Sequence, residues 1–457
     1  MVDGTRVDLS SGTRGDSPLS MAGTALLTDR YELTMLKAAI RSGVAAKPAT
    51  FEVFSRHLPE GRSYGVVAGI GRLRDAIQAF RFDASQIDFV KQSGISDNET
   101  LTFLRDFEFS GSIDGYPEGE LYFPHSPVLT IHSSFGEGLL LETLILSILN
   151  FDSAVASAAS RMRCAARGQR LIEMGSRRTH EIAALAAARA AYIAGFDSTS
   201  NMEAGRSYGI PTAGTVAHSF VLAFPTEREA FKAQLEDQGT STTALIDTFD
   251  IRQGIETAIS VFGPDLSAIR IDSGDPTYES VAARNLLDSL GAKSTQIVVS
   301  GDLDEYKISQ LANLPIDAFG VGTRLVTGSG SGTANFVYKL VEIDGPSGLR
   351  SVQKNSEFKG NRGGGKVAFR QLDTEGYASA EIVVYRGEQS TLPDDHTFRP
   401  LQRRLIHLGK WVADTSLIDS RNLLRRSIEE LSPPARGIHG PTAIPTEFRS
   451  GQIYTPQ

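Results

Sequence analysis

The sequence predicts an α/β fold in which parallel strands alternate with helices, with a closed barrel favoured over an open doubly wound sheet. Three observations carry this reading. From about residue 137, apolar strand candidates end near Met174, Phe196, Ala213, Phe249, Ile271, Val299 and Val321. Their spacing of about 20 to 35 residues suits repeated strand–helix units. Nearly every strand end runs into Gly, Ser, Thr or Asp, and the loops at that end are where barrel enzymes gather their reacting groups.

With 457 residues the chain exceeds one ordinary core. Shifts in composition divide it into a tail over 1–20, an N-terminal α/β domain over 21–136, the barrel over 137–353 and a C-terminal region over 354–457. In order, Leu26–Ser42 reads as a helix, with Leu27, Tyr31, Met35 and Ala38 on one face. Thr28 is its expected N-cap, and Tyr31 alone reads as a core aromatic. Thr50–Phe54, Phe109–Tyr116 and Val128–Ser133 read as strands, Gly69–Phe80 and Ser96–Arg105 as helices. Past the barrel, Lys354–Lys366 is rich in Gly, Lys and Arg, Glu388–Pro400 is a polar loop, and Ser416–Leu431 closes the chain as a helix.

Composition excludes several classes. With 46 basic against 54 acidic residues the formal net charge is −8, which gives no electrostatic reason for nucleic acid. The lone Cys164 rules out an intramolecular disulfide and reads as a small, half-buried helix residue rather than a nucleophile. The longest apolar run, Leu139–Phe151, is broken by Glu142, so no membrane segment is expected. The first twenty residues have no apolar stretch and read as a tail, not a signal peptide, which points to the cytoplasm. No P-loop, His-Glu-x-x-His or Gly-x-Ser-x-Gly motif is present, and Gly328–Gly332 reads as a surface loop.

Four strand-end motifs carry chemistry. Gly214-Thr215-Val216-Ala217-His218-Ser219 follows the strand candidate Tyr208–Ala213. Imidazole titrates near neutrality, so His218 suits a base or a phosphoryl acceptor, although a lone histidine also reads as structural. Ile269-Arg270-Ile271-Asp272-Ser273-Gly274-Asp275 delivers one guanidinium and two carboxylates to a strand end. The carboxylates suit Mg or ribose hydroxyls and the fork suits a planar anion. Asp-Ser-Gly is also ordinary turn chemistry, which leaves the arginine unexplained. Val299–Asp302 and Phe319–Arg324 are successive Gly-containing turns of the kind that hold a phosphate monoester, or paired tight turns. Glu173–Arg178 offers Arg177 and Arg178 as an anion clamp or as solvated charges.

Together these segments resemble the nicotinate phosphoribosyltransferases, type II phosphoribosyltransferases of NAD salvage. The matching stretches are Thr28–Met35, Glu142–Phe151, Glu173–Arg178, Thr199–Asn201, Gly209–Ser219, Arg270–Asp275, Ser300–Asp302, Gly320–Thr323 and Val337–Val341, in the family's order. The resemblance implies an irregular α/β barrel beside an α/β domain that the N- and C-terminal regions complete together. It also implies a homodimer with shared active sites. The implied reaction joins nicotinate to 5-phosphoribosyl 1-pyrophosphate, driven by ATP through a phosphohistidine at His218, with Mg as cofactor. Asp272 and Asp275 fall where the family binds ribose hydroxyls and Mg-pyrophosphate, and Asp275 is the metal candidate. Arg270 falls on the position that holds the pyridine carboxylate, Tyr31 on the aromatic that stacks on the ring from the partner subunit, and Arg177, Ser200 and Thr215 beside them. Arg178, Ser300, Gly301, Asp302, Gly320, Gly322 and Thr323 fall on the phosphate sites. Where the family has a Pro-Gly-Lys-Lys loop, this chain has Gly363-Gly364-Gly365-Lys366 after Lys359. The rivals are an ATP-independent enzyme of the quinolinate or nicotinamide type, a sugar-phosphate barrel enzyme, and a non-catalytic nucleotide-binding relative.

Overall fold

A computed structural model describes residues 23–354, 362–386, 397–413, 416–440 and 444–449. The expected tail over 1–20, Lys359, and most of the Glu388–Pro400 loop lie outside them. Six parallel strands bear the strand-end motifs, in the spatial order Ser198–Thr199, Arg170–Glu173, Ala318–Val321, Gln296–Ser300, Ala268–Ile271 and Thr243–Leu245. One parallel bridge extends the sheet from Thr199 to Thr212. Among the described residues nothing pairs Thr243–Leu245 with Thr212, so the irregular barrel is a curled half-barrel with one open side.

The opening has a local cause. Tyr208–Ala213, expected as a strand, begins as the end of the helix Met202–Tyr208, which Gly209 terminates at φ +67°. Pro211 has no N–H to give a ladder, so pairing shrinks to the Thr212 bridge. The strand expected to end at Phe249 is Thr243–Leu245. The later segment turns into the helix Ile251–Phe262, capped by Asp250, and Phe249 is left exposed.

Period-2 alternation sorts the strand side chains. Leu171, Ile269, Ile271, Ile297, Val299, Phe319 and Val321 face the main helical core. Ile172, Ala268, Val298 and Ala318 form a small inner cluster with Met174 and Ala213. Arg270 and Asp272 continue the inner row of Ala268, and Ser300 continues that of Val298. The arginine among apolar strand residues thus points into the curl.

A seven-stranded antiparallel sheet packs beside this unit, in the order Gly348–Ser351, Phe336–Gly345, Pro48–Ser55, Leu129–Ser134, Ser112–Gly115, Arg403–His407 and Lys410–Trp411. Three N-terminal strands lie together in its middle, with two later segments of the chain on either side. Phe336–Gly345, expected within the barrel region, pairs with Pro48–Ser55 in this sheet. A four-stranded sheet adds Phe398–Pro400, Lys366–Leu372, Ala378–Tyr385 and Thr446–Arg449.

The first helix is Arg30–Arg41, with Asp29 and not Thr28 at the N-cap and no side-chain cap bond. Its expected inner face is its outer one. Leu27, Tyr31 and Met35 are exposed, because Leu33, Leu36 and Ala39 form a second apolar stripe that packs inward. Glu142 breaks the Leu139–Phe151 run where the helix Phe135–Leu140 gives way to Glu142–Ala165. That 24-residue helix is long and apolar enough to cross a membrane by length and composition, but it is largely buried as the central core helix. Cys164 lies on it, half-buried, with burial pushing its thiol up.

Arg189 ties this core together. Its guanidinium donates two 2.6 Å bonds to the buried Glu118, which also accepts the Gly69 N–H. Burial opposes ionisation of Glu118, but Arg189 outweighs it and holds the carboxyl below its ordinary value. Arg189→Met should therefore lower the unfolding free energy by about 3–5 kcal/mol in urea denaturation, because it strands a buried carboxylate. A loss under ~1 kcal/mol would contradict this account.

Candidate active site

Parallel register levels the strand ends. Leu245 aligns with Arg270, Val299 with Ile271, Ser300 with Gly320, Val321 with Glu173 and Glu173 with Thr199. The residues just beyond these pairs therefore converge on one rim.

Arg270 is the centre of that rim. Its Nε donates to Ser300 Oγ at 2.8 Å, one terminal nitrogen to Thr215 Oγ1 at 2.9 Å, and the other to Asp272 Oδ1 at 2.6 Å. The Ser300 hydroxyl also donates to Asp272 Oδ1. Burial opposes ionisation of Asp272, but Ser300, Arg270 and the nearby His218 outweigh it and hold the carboxyl below its ordinary value. Among the described residues three of the five guanidinium donors are engaged, which leaves two.

His218 opens the short helix His218–Leu222, and its Nδ1 lies 3.2 Å from Thr248 Oγ1. Asp275 caps Pro276–Ser289 by accepting the Thr277 N–H at 2.9 Å, so the turn reading holds for one of its oxygens. Asp272, Asp275, Ser300, Gly301, Asp302 and Lys307 line one cleft. Gly301, at φ +98°, has no room for a side chain: a Cβ there would lie 2.7 Å from the Asp272 carbonyl. Gly320 permits close packing instead, since its Cβ would meet Met174 Sδ at 2.7 Å. Gly322 caps the turn Thr323–Val326 beside it.

Family models for the N-terminal domain of nicotinate phosphoribosyltransferase and for the nicotinate phosphoribosyltransferase family match residues 26–150 and 169–381. The nicotinate phosphoribosyltransferase pncB1 of Mycobacterium tuberculosis is 52% identical over 444 residues, covering 95% of this chain and 97% of that protein. The chain belongs to the nicotinate phosphoribosyltransferase family. The Bacillus subtilis nicotinate phosphoribosyltransferase is 35% identical over 329 residues, covering 70% of this chain and 67% of its own. The crystal structure of human nicotinic acid phosphoribosyltransferase superposes with a TM-score of 0.80 at 25% identity, over 93% of this chain and 97% of that one.

Within this nicotinate phosphoribosyltransferase fold, Thr215, Arg270, Asp272 and Ser300 form one bonded group, with His218 alongside. Gly320, Gly322 and Thr323 adjoin Ser300 through the strand pairing. Arg177, Arg178 and Ser200 lie past the neighbouring strands, exposed, with no bond to that group. Tyr31 lies elsewhere, on a helix packed against Phe135–Leu140, and its exposure excludes the core-aromatic reading. Lys366 is turned inward. Its ammonium meets Glu52 at 2.8 Å and the carbonyls of Arg362 and Gly364, which engages all three of its donors.

Two buried acids were missed by the sequence reading. Asp247 accepts the Asp272 N–H at 3.0 Å and the Ser273 hydroxyl at 2.6 Å, fixing the turn that presents Asp272. It follows the apolar run Ala244-Leu245-Ile246 much as Asp272 follows Ile271, and that pattern was its available signal. Glu173 receives the Thr199 hydroxyl and the Gly175 N–H, joining two strand-end loops. Burial pushes its carboxyl up against those bonds.

A lowered Asp272 contributes stability that is complete above the ordinary carboxylate value and fades only as pH falls through its lower folded value. The stability difference between wild type and Asp272→Asn should therefore stay flat from about pH 5 to 8 in thermal or urea unfolding. A difference that shrinks on acidification within that window would contradict the assignment.

Proposed function

We propose that this enzyme joins the ring nitrogen of nicotinate to the anomeric carbon of 5-phosphoribosyl 1-pyrophosphate, releasing pyrophosphate, as the entry step of NAD salvage from nicotinate. The carrying observation is the Arg270 fork, held by Thr215, Ser300 and Asp272 with two donors to spare. A planar carboxylate is the acceptor that such a fork fits.

As the C–O bond to pyrophosphate breaks, positive charge grows on the ribose. The ionised Asp272 favours it, and anion-binding groups favour the departing pyrophosphate. The turns at Ser300–Asp302 and Gly320–Thr323 supply backbone N–H groups for the 5′-phosphate. Arg178 is a second cation for the phosphates, and Arg177 and Ser200 flank the nicotinate. ATP is the proposed co-substrate. Its γ-phosphoryl group passes to an imidazole nitrogen of His218 with release of ADP, and water later removes it as phosphate. Negative charge on His218 beside the pyrophosphate and metal region couples this cycle to substrate binding. We place the reaction in the cytoplasm, where ATP is available.

Among the described residues no group of three or more His, Cys, Asp or Glu could hold a metal by itself. That fits Mg, which is commonly held by one or two carboxylates and completed by substrate phosphates and water. Asp275, with one oxygen not used in capping, and Asp272 are the residues that would hold it. When bound, Mg would neutralise charge on the leaving pyrophosphate. The exposed row Leu27, Tyr31 and Met35 supports a homodimer in which Tyr31 of one subunit covers the pyridine ring of the other.

With γ-labelled ATP, wild-type enzyme should carry label on His218, and ATP should stimulate mononucleotide formation. His218→Ala should lose both and keep at most slow ATP-independent transfer. Label or stimulation that survives in that variant refutes the phosphohistidine. Ser200→Asp places a carboxylate against the substrate's own and should raise the nicotinate KM at least about tenfold, far more than the nicotinamide KM. Equal effects on the two substrates refute that placement.

A further inference from the structure

The helix Glu142–Ala165 starts without a cap of its own. Leu141 precedes it in the right-handed helical region and has no side-chain acceptor for the first N–H groups. The acceptor comes from another helix. Glu32, 0% exposed on Arg30–Arg41, takes the Thr143 N–H at 3.1 Å and the Thr143 hydroxyl at 2.5 Å, both on Oε1. When ionised, its carboxyl also faces the positive end of the helix dipole, although burial pushes it up to about 7 against the pull of the Thr143 bonds. Among the described residues its other oxygen, Oε2, is buried without a hydrogen-bond partner.

The residue before Glu32 is Tyr31. Neighbours in a helix point about 100° apart, so an inward Glu32 sends Tyr31 outward. The Tyr31 phenol nevertheless touches the same spot. Burial, followed by the carboxylates of Glu142 and Glu32, pushes it up to about 12, and the Thr143 hydroxyl pulls the other way. The hydroxyl end of the ring therefore lies beside the start of the core helix, while the residue remains 44% exposed.

We infer that Glu32 is a positioning residue for the transferase reaction: by capping the core helix at Thr143 it fixes the attitude in which Tyr31 presents its ring to the pyridine of the partner subunit's site. This rests on the proposed role of Tyr31. It assigns work to a residue that touches no substrate.

A double-mutant cycle on the full-length enzyme tests it, with nicotinate KM and kcat measured at saturating 5-phosphoribosyl 1-pyrophosphate and ATP. Tyr31→Ala should raise the nicotinate KM roughly tenfold, the scale of one aromatic contact, with a smaller effect on kcat. Glu32→Ala should raise it in the same direction, and the double variant should be no worse than Tyr31→Ala alone. Glu32→Gln keeps an oxygen for Thr143 and should restore the wild-type KM. Thr143→Val removes the hydroxyl from the other side; it should reproduce the Glu32→Ala shift, and it carries the test if Glu32→Ala fails to fold. Multiplying KM effects of Glu32→Ala and Tyr31→Ala, or a Glu32→Ala and Thr143→Val pair that lowers Tm at unchanged KM, would overturn the positioning role alone. An unchanged KM in Tyr31→Ala would overturn it together with the role given to Tyr31.

Discussion

A guanidinium on a strand that faces the inside of a curled sheet must be surrounded by acceptors, and the architecture at the rim follows from meeting that demand at Arg270. Its three partners come from three different places: Thr215 from the loop before His218, Ser300 from the adjacent strand, and Asp272 from two residues along its own strand. Ser300 is in place only if the register between Ala268–Ile271 and Gln296–Ser300 is held. That register depends in turn on close packing at the strand ends, where Gly301 sits under the Asp272 carbonyl and Gly320 against Met174. A half-buried charge whose ligands are spread over separate loops makes those loops a single unit.

The rest of the molecule supports this unit from outside. Asp247 holds the Asp272 turn from the strand on the far side. The long helix Glu142–Ala165 packs behind the sheet and also receives Glu32 from the N-terminal helix. One helix thus links the strand-end group to the exposed face that carries Tyr31.

Much of this was legible in the residues. Parallel strand–helix alternation, the strand ends at Met174, Ile271, Val299 and Val321, and the placing of Arg270 and Asp272 on one face follow from period-2 patterning. What failed did so for definable reasons. Leu27, Tyr31, Met35 and Ala38 have helical spacing, but so do Leu33, Leu36 and Ala39, and periodicity cannot say which of two apolar stripes faces inward. Tyr208–Ala213 has strand-like composition, but Pro211 cannot donate to a ladder and Gly209 stops a helix. Phe249 is apolar yet lies outside the sheet. Lys366 follows a Gly-rich loop that by itself assigns it no role, and a long-range partner, Glu52, turns it inward. Asp247 escaped notice although it follows an apolar run as Asp272 does, and Glu173 was quoted only as the start of a motif whose weight fell on its arginines. The roles of Tyr31 and Ser200 came from family resemblance alone, and Arg177 and Arg178 were legible only as an anion clamp or solvated charges, since no hydrogen bond among the described residues joins these four to the Arg270 group.

The central claim is that the planar fork at position 270, and not positive charge alone, organises the rim and receives the substrate carboxylate. Arg270→Lys keeps the charge and removes the fork, so its kinetics test the claim most directly. The account predicts a loss in kcat/KM for nicotinate on the order of 100-fold, with folding and ATP-dependent labelling of His218 retained. Activity within about threefold of wild type would contradict it.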